Sequence, residues 1–142
     1  MIKKAENFKQ YLDKNNVTVF QMEEIPNDAN NTVVFRTHVS VNGQQLPSAV
    51  IIDNSIFTMI RVQISPQSLT TENESALSKM LNLENAKYKP FKLFFNEKGD
   101  LMLDVCLITK DSMDNAEEVF LMYNLIINYL NESYRTIMKA IW

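Results

Sequence analysis

Apolar residues recur along this chain with two different periods, and the switches between them mark out its elements. In residues 101–108, Leu101, Leu103, Val105 and Leu107 alternate with Met102, Asp104, Cys106 and Ile108, the period of two that a strand requires. Both sets are largely apolar, which predicts an interior strand. Ahead of it, Asn96-Glu97-Lys98-Gly99-Asp100 is a polar turn. Its Gly99 can take the positive φ of a hairpin loop, so a β-branched residue there is expected to impair folding. A short helix feeding this hairpin is the unit around which the remaining chain is arranged.

From the start, Ile2, Ala5, Phe8, Tyr11 and Leu12 recur at helical spacing with Lys3, Lys4, Glu6, Lys9, Gln10 and Asp13 between them, a one-faced amphipathic helix that Asn15-Asn16 ends. Residues 17–22 read as a first strand and residues 26–31 as a turn-rich loop. A β meander follows. Val33, Phe35, Thr37, Val39 and Val41 share one face, and Asn42-Gly43 is a favoured two-residue hairpin turn. Residues 49–52 form the next strand after Pro47. Asp53-Asn54-Ser55 then reverses the chain into Ile56, Thr58, Ile60, Val62 and Ile64, and Pro66 closes that strand.

Thr71-Glu72-Asn73-Glu74 has the form of a capping box and predicts the start of a second helix, with Ala76, Leu77, Met80 and Leu81 on its apolar face and an end between Asn82 and Asn85. Pro90 forces Lys89 into extended geometry ahead of the hairpin. A third helix, capped by Asp114-Asn115-Ala116-Glu117, runs to the last residues of the sequence. From residue 114 to 142 it would be about 40 Å long, more than a typical strand of ~17–20 Å underlies. A kink near Asn128 or Asn131, or a projecting end, is therefore expected. Residues 119–127 are apolar nearly all round, and such a helix needs cover on two sides. Tyr123, Ile127, Leu130 and Tyr134 define the side expected to face the core. Leu121, Met122, Leu125 and Tyr129 gather on the other, a candidate partner-binding or dimer surface to which Trp142 is added. Methionine repacks easily there, and tyrosine or tryptophan supplies rigid contact area.

Composition narrows the function classes. The 142 residues fit one domain spanning 1–142, and 46% apolar content excludes disorder as the dominant state. A net charge of −3 with scattered basic residues argues against nucleic acid as a partner. The longest apolar run is far short of the ~20 residues that span a bilayer, and the first residues carry no secretory pattern. With Cys106 as the only cysteine, these features lead to the expectation of a cytoplasmic location without membrane attachment.

Candidate chemistry is sparse. One histidine and one cysteine cannot assemble a His/Cys zinc site within one chain, and Gly43 with Gly99 cannot build a glycine-rich phosphate loop. No metal or cofactor is expected. His38 and Cys106 would be either a thiolate pair or, as the apolar company of Cys106 favours, a strand histidine and a buried core cysteine. The Glu23-Glu24, Glu72/Glu74 and Glu117-Glu118 pairs lie at turns or helix starts, where acidic side chains are solvated or favour the dipole. Asp104 is a charge in an apolar strand, explained by an edge position or an outward face.

Residues 80–85, Met-Leu-Asn-Leu-Glu-Asn, followed by residues 92–101, Lys-Leu-Phe-Phe-Asn-Glu-Lys-Gly-Asp-Leu, together with the order of elements, resemble the YbjN family of bacterial sensory transduction regulators. The resemblance covers essentially the whole chain. It implies an α+β fold of order α-β-β-β-β-α-β-β-α, similar to class I type III secretion chaperones, with three helices on a bent antiparallel sheet and a homodimer as the usual assembly. The family supplies no catalytic residues. Tyr88-Lys89-Pro90 departs from its pattern and leaves the register of the following strand open. The resulting expectation is a non-catalytic protein-binding domain, a regulator or chaperone-like adaptor acting through an apolar helical face and exposed sheet edges. Asn82 and Asn85 would cap the second helix and bridge to the hairpin. A second reading is a small-molecule-sensing domain with a pocket lined by Phe94, Tyr123 and Ile127.

Overall fold

A computed structural model describes residues 1–142. Helix α1 (Lys3–Lys14) is followed by strands β1 (Gln21–Glu24), β2 (Val33–Val41), β3 (Gln44–Ile52) and β4 (Phe57–Ser65). Helix α2 (Glu74–Lys87), strands β5 (Lys92–Phe95) and β6 (Leu101–Ile108), and helix α3 (Ala116–Ile141) complete the chain. The strands form one sheet of order β1-β2-β3-β4-β6-β5 in which every neighbouring pair is antiparallel. The α+β class and the order of elements are those that the sequence predicts, and β6 is an interior strand.

Turn chemistry sets the register. Asn42 and Gly43 both have positive φ, 48° and 78°, the handedness that matches the twist of the flanking strands. The resulting pairing puts Phe35 opposite Val50 and Val39 opposite Leu46. Those side chains, with Ile60 and Val62 of β4 and Leu103 and Val105 of β6, enter one buried cluster that also holds Ala5 and Phe8 of α1, Leu77 of α2, and Val119, Ile126, Leu130 and Ile137 of α3. All three helices therefore cover the same face of the sheet. Gly99 has φ +79°, and its carbonyl accepts the N–H groups of Ser68 and Leu69, tying the hairpin turn to the loop before α2.

Several boundaries differ from the sequence reading. The first strand is Gln21–Glu24 rather than residues 17–22, because Val17 and Phe20 pack on the core beside the helices instead of entering the ladder. The Phe20 ring lies 5.2 Å from Tyr123 and 6.0 Å from Phe8. Strand β3 extends back through Pro47, where β2 is paired but β4 pairing has not yet begun, so the missing N–H breaks no ladder bond on that side. Lys4, read as part of a solvated face, is buried at 7% exposure. Its Nζ donates to the Ser55 carbonyl at 2.6 Å and to Thr109 Oγ1 at 3.2 Å, fastening α1 to the ends of β4 and β6.

At the start of α2 the reciprocal pair is Thr70 with Asn73, not Thr71 with Glu74. The Thr70 N–H donates to Asn73 Oδ1, and the Asn73 N–H to Thr70 Oγ1. Asn73 Nδ2 also donates to the carbonyl of Ile141 at 3.2 Å, so the far end of α3 is held against the start of α2. Helix α3 runs uninterrupted through Asn128 and Asn131, and Ile137 and Ile141 of its last turns are buried. The helix is therefore not broken at either asparagine, and its last turns do not project clear of the fold. Nine-residue strands of about 30 Å, with α2 alongside, shelter more of its length than a typical strand would.

Asn82 and Asn85 do not end α2, which continues to Lys87. Asn82 is exposed and its side chain caps nothing. Asn85 performs the bridge: its Oδ1 accepts the Leu93 N–H at 2.8 Å and its Nδ2 donates to the Leu93 carbonyl at 3.1 Å. The amide thus stands in for a neighbouring strand along the outer edge of β5, which blunts that edge. The other edge, β1, is only four residues long and carries two glutamates. Beyond these short edge strands, residues 37–41 of β2 and 105–108 of β6 have no strand on their outer side. Asn85→Ala is expected to cost about 1–2 kcal/mol from two lost backbone bonds, whereas Asn82→Ala stays within about 0.5 kcal/mol; urea melts of the two variants check the contrast.

Candidate protein-binding surface

The buried seam of α3 consists of Ala116, Val119, Tyr123, Ile126, Tyr129, Leu130, Ser133, Ile137 and Ile141. Ile127 and Tyr134, expected in the core, are only half-buried. The seam is rotated toward Ile126 because α2 packs beside the sheet and takes Tyr129 inward. What the subunit leaves open is Leu121, 57% exposed, and Leu125, 43% exposed, one turn apart. Met122 beside them is half-buried.

Tyr129 corrects the expected surface. It is 3% exposed, and its hydroxyl donates to Glu84 Oε1 at 3.1 Å, while Lys87 Nζ holds Glu84 Oε2 at 3.0 Å. Glu84 itself is buried, so the triplet ties α2 to α3. Trp142 is 86% exposed, but it borders a separate depression with Pro47, Ile64, Tyr134 and Met138. At ~1.5 Å per residue it lies about 25 Å along the helix from Leu125, too far to share a patch.

The chain brings a different set of residues to Leu125. The segment after α2 folds back so that the rings of Tyr88 and Phe91 pack on Tyr129, at centroid separations of 4.4 and 5.0 Å. A groove of about 430 Å³ lies there, with Tyr88, Pro90 and Phe91 on one wall and Leu125, Asn128, Tyr129 and Glu132 on the other. Glu132 is exposed on the second wall. Tyr88 and Pro90, with Phe91, build the first wall. Two aromatics bracketing a proline were the available signal for it.

Burial, with the Glu84 carboxylate alongside, holds the Tyr129 proton well above the ordinary tyrosine range. Burial likewise raises Tyr123, partly offset by a hydrogen bond with Thr37. For a group whose folded pKa is raised, the stabilisation is present below the unfolded value near 10 and is lost as pH climbs through the folded one. Stability is thus expected to fall above about pH 10, with phenolate absorbance showing Tyr123 and Tyr129 ionising later than exposed tyrosines. Tyr129→Phe should remove one of them.

The remaining candidates are dispersed. His38 is exposed on β2 and Cys106 on β6, three strand spacings apart, about 14 Å or more, so they form no thiolate pair. Cys106 is exposed rather than buried in a core, because the sheet face it occupies carries no helix. Asp104 is on that outward face but not at an edge. It is 3% exposed and receives both Arg61 Nε and Nη2 at 2.9 Å; its hydrogen bonds hold the Arg61 guanidinium above its usual range. Phe94 shares that outward face with Met102, while Tyr123 is buried among the helices on the other, so the pocket expected from Phe94, Tyr123 and Ile127 is not formed by those three. No three His, Cys, Asp or Glu side chains converge in a metal-binding cluster. No helix is long and apolar enough to cross a membrane. No protein-family model matches the chain, and no curated protein matches it at a significant level.

Proposed function

We propose that this chain is a YbjN-like, non-catalytic protein-binding domain, a cytoplasmic regulator or chaperone-like adaptor that takes an apolar segment of a protein partner along the outward stripe of α3. The observation that carries the reading is the exposure of Leu121 and Leu125 one turn apart on an otherwise sheltered helix, bordering the aromatic groove of Tyr88, Phe91 and Tyr129. Large apolar side chains at helical spacing beside a preformed concave surface suit a helix-in-groove or extended apolar ligand.

The test is co-purification from the native host with the tagged chain and with the Leu121→Lys, Leu125→Lys double variant. Both positions are exposed, so the variant is expected to keep its circular dichroism and to melt within about 0.5 kcal/mol of the parent. One stoichiometric partner should be retained by the parent and lost by the variant, with a purified affinity weakened on the order of 30-fold, as for loss of a ~2 kcal/mol anchor. An identical set of bound proteins on both baits would contradict the reading.

A further inference from the structure

The depression beside Trp142 is built where the sheet opens. Residues 44–47 of β3 and 63–65 of β4 are both in strands, yet the register that joins the two begins only at Ser48 and Val62. Pro47 withholds a ladder donor, and a register shift between Gln63 and Ser65 bends β4. The parted strand ends and the last turns of α3 enclose a depression of about 490 Å³. Tyr134, Met138 and Trp142 follow one another at four-residue intervals, and the Trp142 N–H still donates to the Met138 carbonyl at 3.0 Å. They form one ridge about 12 Å long. Tyr134 and Met138 are half-buried, whereas Trp142 is 86% exposed. The strand side contributes Pro47 and Pro66, both exposed, and the side-chain amides of Gln44, Gln45 and Gln63. No acidic or basic side chain lines the depression, although 22% of the chain is charged.

We propose that this depression binds a proline-rich segment of a protein partner in the polyproline II conformation. It is a surface other than the α3 stripe, and the proposal does not rest on the reading of that stripe. Three features favour this ligand. A polyproline II segment has no internal hydrogen bonds, and its prolines have no N–H, so it offers carbonyls alone. The site answers with donors: the Trp142 indole N–H, the Tyr134 hydroxyl and the three glutamine amides. A carbohydrate would bring hydroxyl donors as well, and no carboxylate lines the site to accept them. Proline rings are apolar and uncharged and pack on aromatic faces, which Tyr134 and Trp142 supply. One turn of polyproline II is three residues and ~9 Å, so prolines one turn apart fit within the ~12 Å ridge from Tyr134 to Trp142. The neutral lining suits a neutral segment and would leave a charged one without a partner.

Trp142 is the only tryptophan of the chain, so its emission reports the site directly. The full chain is titrated with decaproline, and for comparison with a glycine and serine peptide of equal length and with a neutral oligosaccharide. The expected result is a saturable change with decaproline alone, half-complete between about 10 μM and 1 mM. Trp142→Ala lacks the reporter and is followed by calorimetry. It should bind decaproline roughly tenfold or more weakly, with unchanged circular dichroism because the side chain is exposed. A flat decaproline titration overturns the proposal, as does an equal change with the glycine and serine peptide or an undiminished affinity in Trp142→Ala. A response to the oligosaccharide that equals or exceeds the one to decaproline overturns it in favour of a sugar site. The Leu121→Lys, Leu125→Lys double variant should bind decaproline as the parent does. Loss of binding there would move the peptide to α3 and also overturns it. Partner capture by that variant is read separately, so the two proposals fail independently.

Discussion

Phe35→Ala is expected to lower the unfolding free energy by about 3–5 kcal/mol, the usual cost of emptying a buried phenylalanine site. Phe35 is 1% exposed, faces Val50 across β2 and β3, and meets the Phe8 ring edge-on at 4.9 Å and 87°. Phe8 in turn touches Phe20, so the lost ring is the joint between α1, the β1 approach and the meander. Rigid strands on both sides limit collapse into the void. Urea melts should show a lower midpoint at an unchanged slope. Arg36→Ala, next along β2 but 56% exposed with only a surface pair to Glu23, should change stability by less than about 1 kcal/mol. Equal losses at the two positions would mean that the face assignment of β2 is wrong.

That assignment was legible because period two leaves little freedom. Once Asn42-Gly43 fixed the turn, Val33, Phe35, Val39 and Val41 had to share a side, and the structure buries all four. Helix α3 was harder. A helix apolar nearly all round carries no internal marker of which stripe its neighbours will claim, so Tyr129 was assigned outward although Glu84, 45 residues away, draws its hydroxyl inward. The aromatic wall of the groove depends on a fold-back of residues 88–91 that local pattern does not encode. Cys106 failed for the opposite reason. Its apolar strand neighbours signalled two covered faces, but all the helices went to one side, and Cys106 lies on the face that carries none. Asn82 and Asn85 have the same chemistry and nearly the same context; only the position of Leu93 decides which of them finds a backbone to hold.

Arg61→Ala is expected to destabilise the chain by about 2–3 kcal/mol, toward the low end for breaking a buried ion pair. The effect comes from what stays behind. Asp104 has a side chain only 4% exposed, against 43% for Arg61, so removing the guanidinium strands a carboxylate that water barely reaches. Removing the carboxylate leaves a cation that can turn to solvent, and Asp104→Ala should therefore cost less than Arg61→Ala. Lys92 stands opposite Asp104 on β5 and offers partial rescue, which is why the figure sits below the full penalty. Arg61→Ala paired with Asp104→Asn should recover much of the loss, and a double variant no better than Arg61→Ala would show that the stranded charge is not the cause.

The most direct test of the proposed partner site is side-chain accessibility of α3 in the host setting. Carbene footprinting of the purified chain and of the same chain in host extract, at equal concentration, reads Leu121 and Leu125 against Leu83 and Val19, which are each 60% exposed on other parts of the surface. The account predicts that labelling at Leu121 and Leu125 falls in extract while Leu83 and Val19 hold steady. Labelling that stays constant at all four, or falls equally at all four, would contradict it.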